Sequence, residues 1–180
     1  MSRPVLTAAL LTSLALAGCA LLGRAQAGGG GGPRPARPQA ALCRADYVRP
    51  SFARLEADLA SARARWAAQR ARAYRYDFAQ VAAPVRYPAV RVTVRPGAAP
   101  AIAVLPGEVG DPGGQAGGTV EARFAQVAQA LASWRTQPCP EVRVTYDRVT
   151  GVPLTFYGGS GLANIADGYG EWRVTNFTRG

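Results

Sequence analysis

Three cysteines and a scatter of carboxylates have the widest chemical reach in this 180-residue chain, because it contains no histidine and all 21 basic residues are arginine. Cys19 follows Leu16-Ala17-Gly18, the residue order at which bacterial export machinery cleaves and attaches lipid to the cysteine thiol. Cys43 and Cys139 are then left together in an oxidising compartment, either bridged or as two unpaired thiols. A bridge would close nearly the whole domain into one loop, worth about 4–5 kcal/mol by chain entropy. Neither cysteine has a partner at C-x-x-C spacing and there is no histidine, so no metal site is expected of them.

Catalysis has little to draw on. Without histidine the commonest general base and the usual Ser and Cys triads are missing, and without lysine so are a Ser-Lys dyad and a P-loop. Gly158-Gly159-Ser160-Gly161 resembles a nucleophile elbow, but Leu162 stands where a glycine is required, so the stretch is expected to be a flexible hairpin. Carboxylate chemistry remains as an alternative, through Glu108 and Asp111 in a long loop and Asp147 and Asp167 near strand ends. Loop acids also shape turns by bonding their own backbone. Weak calcium binding at Glu108 and Asp111 is conceivable, although no EF-hand spacing is present. No cofactor is expected.

The segment before the domain decides where this chemistry takes place. Arg3 and an uncharged, mostly apolar run from Val5 to Leu22 have the form of an export signal. The leading expectation is a signal peptide over residues 1–18, a lipidated Cys19 and a Gly/Pro-rich tether over 19–42, ahead of a single domain over 43–180. Two alternatives stay open: secretion after cleavage at Ala25-Gln26-Ala27, or retention of the apolar run as a membrane anchor. All three place the domain outside the cytoplasm. Gly28 to Gly32 loosen the tether, and Pro33, Pro35 and Pro38 stiffen its second half.

The formal net charge is +10, and cleavage before Cys19 leaves 20 arginines against 11 acids, or +9. That balance favours anionic surfaces, acidic glycans or acidic proteins. Nucleic acid is not expected in an exported compartment.

The elements that must position these residues follow from periodicity. Phe52, Leu55, Leu59, Ala62 and Trp66 recur at helical spacing behind Ser51 as N-cap, predicting a helix over residues 51–72. Its acids lie early and Arg63, Arg65, Arg70 and Arg72 late, an order that suits the helix dipole. Period-two alternation then predicts strands around Tyr74–Ala79, Val90–Arg95 and Ala101–Leu105. A Gly/Pro-rich loop over 106–118 precedes a second amphipathic helix carrying Val120, Phe124, Val127, Leu131 and Trp134, which Pro138 and Pro140 stop. Strands follow at Val142–Tyr146, Leu154–Tyr157 and Tyr169–Phe177. The expected fold is α+β, two amphipathic helices on an antiparallel sheet in the order α-βββ-α-βββ. Arg75, Arg91, Arg143 and Arg173 fall on these strands beside aromatic residues, a pairing enriched at interfaces, and are the candidate binding residues.

Several stretches carry a further resemblance. Trp66, Tyr74-Arg75-Tyr76-Asp77-Phe78, Phe124, Val142-Arg143-Val144-Thr145-Tyr146-Asp147, Gly151-Val152-Pro153-Leu154, Ile165-Ala166-Asp167 and Val174-Thr175-Asn176-Phe177 stand in an order that resembles the "domain of unknown function 6174" family, over about residues 60–178. The resemblance implies a small exported protein or lipoprotein with an α+β fold, and it brings no activity with it. Members often carry closely spaced cysteines near the first strand, where this chain has Ala82-Ala83-Pro84. The functional expectation is a membrane-anchored, non-catalytic module that binds an envelope protein or an anionic envelope polymer. A small envelope hydrolase using carboxylates and a passive surface-coat protein are the alternatives.

Overall fold

The computed structural model describes residues 42–163 and 168–180. It shows an α+β domain in which two helices lie on a seven-stranded antiparallel sheet. Helix α1 spans Phe52–Gln69 and α2 spans Val120–Arg135. The strands are β1 Tyr74–Ala82, β2 Val85–Arg86, β3 Val90–Val94, β4 Ala101–Val104, β5 Pro140–Tyr146, β6 Pro153–Ser160 and β7 Gly170–Arg179. Their spatial order is β4-β3-β1-β7-β6-β5, with β2 paired to the end of β1.

Local chemistry sets the helix boundaries. Ser51 Oγ accepts the Arg54 N–H at 3.3 Å, and Thr119 Oγ1 accepts the Ala122 N–H at 3.2 Å, each relieving an orphan donor of the first turn. Helix α1 stops at Gln69, short of the expected residue 72, because Arg70 turns left-handed at φ 50° and donates its N–H back to Ala67. Arg70 and Arg72 therefore lie beyond the helix, and neither its first turn holds an acid nor its last turn a base. The dipole contributes little to α1, since its effect falls off within the terminal turns.

The first half holds four strands where three were expected. Val81 and Ala82 extend β1 and pair with Arg86 and Val85 across a turn at Ala83-Pro84, a two-residue strand too short to leave a periodic signal. The second half also departs from expectation. Strand β5 begins at Pro140, two residues before the expected Val142, as proline can occupy a first strand position. Gly158, Gly159 and Ser160 belong to β6, not to a flexible hairpin.

Phe52, Leu59, Ala62 and Trp66 of α1 and Val120, Phe124, Val127 and Leu131 of α2 are buried against Tyr74, Tyr76, Phe78, Val90, Val92, Val142 and Val174 of the sheet. The Trp66 ring meets Tyr74 and Phe177 edge-on, with centroids at 5.3 and 5.8 Å. Helix α2 docks through its first turn, where the Tyr74 hydroxyl accepts the Val120 N–H at 3.0 Å and donates to Glu121 Oε2 at 3.3 Å. The β5–β6 turn presses on α1 so closely that a Cβ at Gly151 would lie 2.2 Å from the Ala62 carbonyl oxygen, and its φ of 81° also requires glycine.

Candidate ligand-binding face

Directly paired residues on neighbouring strands share a face of the sheet, so the register decides which side chains the helices cover. Phe78 pairs with Val90 and Val174, and this row lies in the core. The alternate row from β1 outward is Arg75, Asp77, Ala79 and Val81, and it belongs to the opposite face. Arg91 pairs with Asp77, Arg173 with Ala79, and Arg143 with Tyr157, which pairs with Glu171 and so with Val81. All four candidate arginines thus stand on the face that neither helix covers, and all four are exposed.

They are not equivalent there. Arg91 is committed to Asp77, with Nε donating to Oδ1 at 2.7 Å and Nη2 to Oδ2 at 2.9 Å, and Asn176 Nδ2 donates to Oδ2 at 2.8 Å. Asp77 is only 4% exposed, and the hydrogen bonds from Arg91 and then Asn176 hold its carboxyl below the usual carboxylate range despite that burial. Arg75 donates to Thr178 Oγ1 at 3.0 Å. Arg143 stacks on the Tyr157 ring at 4.0 Å from its centroid and has no ion-pair partner among the described residues. Arg173 makes no ion pair or side-chain hydrogen bond among the described residues. The structure therefore divides the four into two that staple the sheet and two that are available to a ligand.

Arg143 and Arg173 line a hollow of about 590 Å³ on this face, together with Tyr87, Tyr157, Glu108 and Glu171. Tyr157 lies along β6 over Gly159, where an added Cβ would come within 2.7 Å of the phenol oxygen. It also stacks on Tyr169, with centroids 5.7 Å apart. Glycine in a strand often marks such a close approach, and here it lets the ring lie flat as a plate for the guanidinium. In the next row the hydroxyls of Thr145 and Thr155 hydrogen-bond at 2.6 Å.

Of the candidate carboxylates, the described ones have separate local roles. Glu108 borders the hollow. Asp111 Oδ1 instead accepts the Gly113 N–H at 2.8 Å, and Asp147 Oδ1 accepts the N–H groups of Val149 and Thr150 and the Thr150 hydroxyl, so both shape turns. Asp167 lies outside the described residues, as do Cys19, Ala27 and the tether up to residue 41. Among the described residues no group of three His, Cys, Asp or Glu side chains could hold a metal ion.

One residue that sequence reasoning missed shapes the approach to the site. Arg123 is fully buried on α2, its guanidinium 3.6 Å from the Phe78 ring centroid. It donates to the carbonyls of Gln115 at 2.7 Å and Ala116 at 2.6 Å, to Gln126 Oε1 at 3.0 Å and to the Tyr76 hydroxyl at 3.3 Å. It thereby secures the end of the Gly/Pro-rich loop whose beginning carries Glu108. The available signal was position, because residue 123 falls on the same helical face as Val120, Phe124 and Val127. Glu171 and Tyr157 were also missed as a unit, although both sit on period-two segments.

Cys43 and Cys139 are joined in a disulfide, with their Cα atoms 5.7 Å apart, so the two were not left as thiols. Around it the Arg44 N–H donates to the Gly161 carbonyl at 2.8 Å, and the Tyr47 hydroxyl to the Pro140 carbonyl at 3.0 Å. The chain thus enters the domain beside the β5–β6 end of the sheet, the same end as the Arg143–Tyr157–Glu171 row. No curated protein and no solved structure matches the chain. A family pattern does, over residues 58–178, and the chain belongs to that family, the family of unknown function DUF6174.

Proposed function

We propose that this is an exported lipoprotein, anchored through Cys19, whose domain is a non-catalytic binding module for an anionic component of the cell envelope. The observation that carries this reading is the Arg143–Tyr157 plate beside Arg173, on a sheet face left open by both helices. A guanidinium stacked on a ring keeps its edge N–H groups free for carboxylate or phosphate oxygens, and the stacking restricts its motion before binding. The threonine pair adds neutral hydrogen-bonding capacity alongside.

The test is capture in the native envelope with a photoreactive residue in place of Tyr87 at the rim. One dominant partner is expected, lost when Arg143 and Arg173 are both changed to Glu. Diffuse capture that ignores the charge reversal would favour a passive coat instead. Cys19→Ser should release the protein from the membrane fraction; an unchanged distribution would argue for a retained apolar anchor, and release of the unsubstituted chain for cleavage at Ala27. A carboxylate hydrolase rests on a narrower observation, that Glu108 and Glu171 line the same hollow. It requires turnover of the captured component that Glu108→Gln or Glu171→Gln abolishes.

A further inference from the structure

We propose that β4 is a self-association edge, at which two copies of this chain pair antiparallel about a twofold axis through Ala103. Strand β4 lies at one end of the sheet and pairs only with β3 among the described residues. The Leu105 N–H donates to the Ala89 carbonyl at 2.9 Å, so Leu105, Ala103 and Ala101 direct their backbone groups toward β3. In an antiparallel ladder these directions alternate, and the N–H and C=O of Ile102 and Val104 point away from the sheet. A second β4 related by a twofold at Ala103 would place Ile102 opposite the partner's Val104 and satisfy all eight of these groups between the two strands.

The side chains match the same register. Ile102 pairs with Val92 and Val104 with Val90, so both continue the core row past the helix layer, where they remain 45% and 39% exposed. Ile102 rests on Gly117, which has no Cβ to exclude it. Pairing would set each Ile102 against the partner's Val104 and bury four apolar side chains that a free edge leaves in water. Among the described residues no charge, bulge or proline within β4 guards this edge, and of the devices that blunt natural edges it has only its shortness, four residues between Pro100 and Pro106.

Charge permits a second copy and gives it complementary ends. The chain is strongly basic, yet no ionisable side chain occurs from Ala98 to Gly107, so two copies can approach here without like-charge repulsion. An antiparallel pair also brings the Arg95 end of one strand toward the Glu108 end of the other. The opposite edge, β5, carries Glu141 and Arg143 and lies beside the disulfide, so pairing through β4 leaves both points of chain entry unobstructed.

A four-residue strand pair is a small interface, and association is expected at roughly 10–100 μM. The experiment is sedimentation velocity on the full chain in mild detergent, with two substitutions. Val104→Arg is expected to weaken the dimer at least tenfold. Val149→Arg, at a still more exposed valine on the β5–β6 turn, is expected to leave it unchanged. Register is tested separately: Ala103→Cys should form an interchain disulfide on mild oxidation, whereas Ala101→Cys should not, its two copies lying roughly 14 Å apart in this pairing. A chain that stays monomeric across this range, a dimer that survives Val104→Arg, or cross-linking at 101 in preference to 103 would each overturn the proposal. So would capture at β4 of a different extended polypeptide.

Discussion

Arg123 places a cation where no water reaches it and where no carboxylate answers it among the described residues. Desolvation lowers its pKa, and its charge is met by two loop carbonyls, an amide oxygen, a phenol and the face of Phe78. Replacing a buried ion pair by apolar groups can be neutral when both partners go, but here the acceptors are backbone carbonyls that no substitution removes. Arg123→Met should therefore cost about 3 kcal/mol by urea denaturation, chiefly by leaving Gln115 and Ala116 unsatisfied. Arg143→Ala, at the surface, should stay within about 0.5 kcal/mol. A difference of less than 1 kcal/mol between the two variants would show that the loop finds other donors, contrary to this account. Sequence composition could not separate these arginines. Position does separate them: residue 123 falls on the buried face of α2 with Val120, Phe124 and Val127, whereas residue 143 alternates with Val142 and Val144 on β5.

At the scale of elements, Asp77 ties three strands together. It sits on β1, receives Arg91 from β3, and receives Asn176 from β7 at a bulge where Asn176 turns left-handed at φ 51°. Because Arg91 holds the folded-state pKa of Asp77 below its ordinary 3.8, the unfolded chain binds the proton more tightly than the folded one. The stability this carboxylate contributes is complete above about pH 4 and is lost as the pH falls through the depressed folded value. Asp77→Asn should lower the urea midpoint at pH 7, and the gap to the unsubstituted chain should close as the pH falls below about 4. A gap that is the same at every pH would place the effect in packing rather than ionisation. The strands themselves were legible, because Tyr74-Tyr76-Phe78 and Val90-Val92-Val94 alternate cleanly. The partner of Asp77 was not, since period two says which residues share a face but not which strand lies next door. Gly158 and Gly159 misled for a related reason. Glycine marks both turns and close approaches, and only the rings of Trp134 and Tyr157 against them decide which.

At the scale of the whole molecule, the disulfide fixes where the chain before α1 meets the fold. Cysteine arithmetic alone suggested the pair, but its consequence depends on what surrounds it. Cys43 forms a bridge with Leu162, Arg44 pairs with Glu141, and the Tyr47 ring packs against Gly161, all at the end of the sheet that holds the Arg143–Tyr157 row. The closed loop spans 96 residues, so cross-linking removes about 4–5 kcal/mol of unfolded-chain entropy at most. The core of α1, α2 and the central strands draws nothing from residues 42–47. Changing Cys43 and Cys139 together to Ser should therefore lower stability by about 2–4 kcal/mol without abolishing the fold. It should also raise amide exchange selectively at Arg44 and Gly161, the donors whose partners the bridge holds in register. Uniform exchange throughout the sheet would mean that the bridge supports the core itself. Selective loss would mean that it holds residues 43–47 against β5 and β6, a covalent clamp on the sheet edge that the packed core neither needs nor replaces.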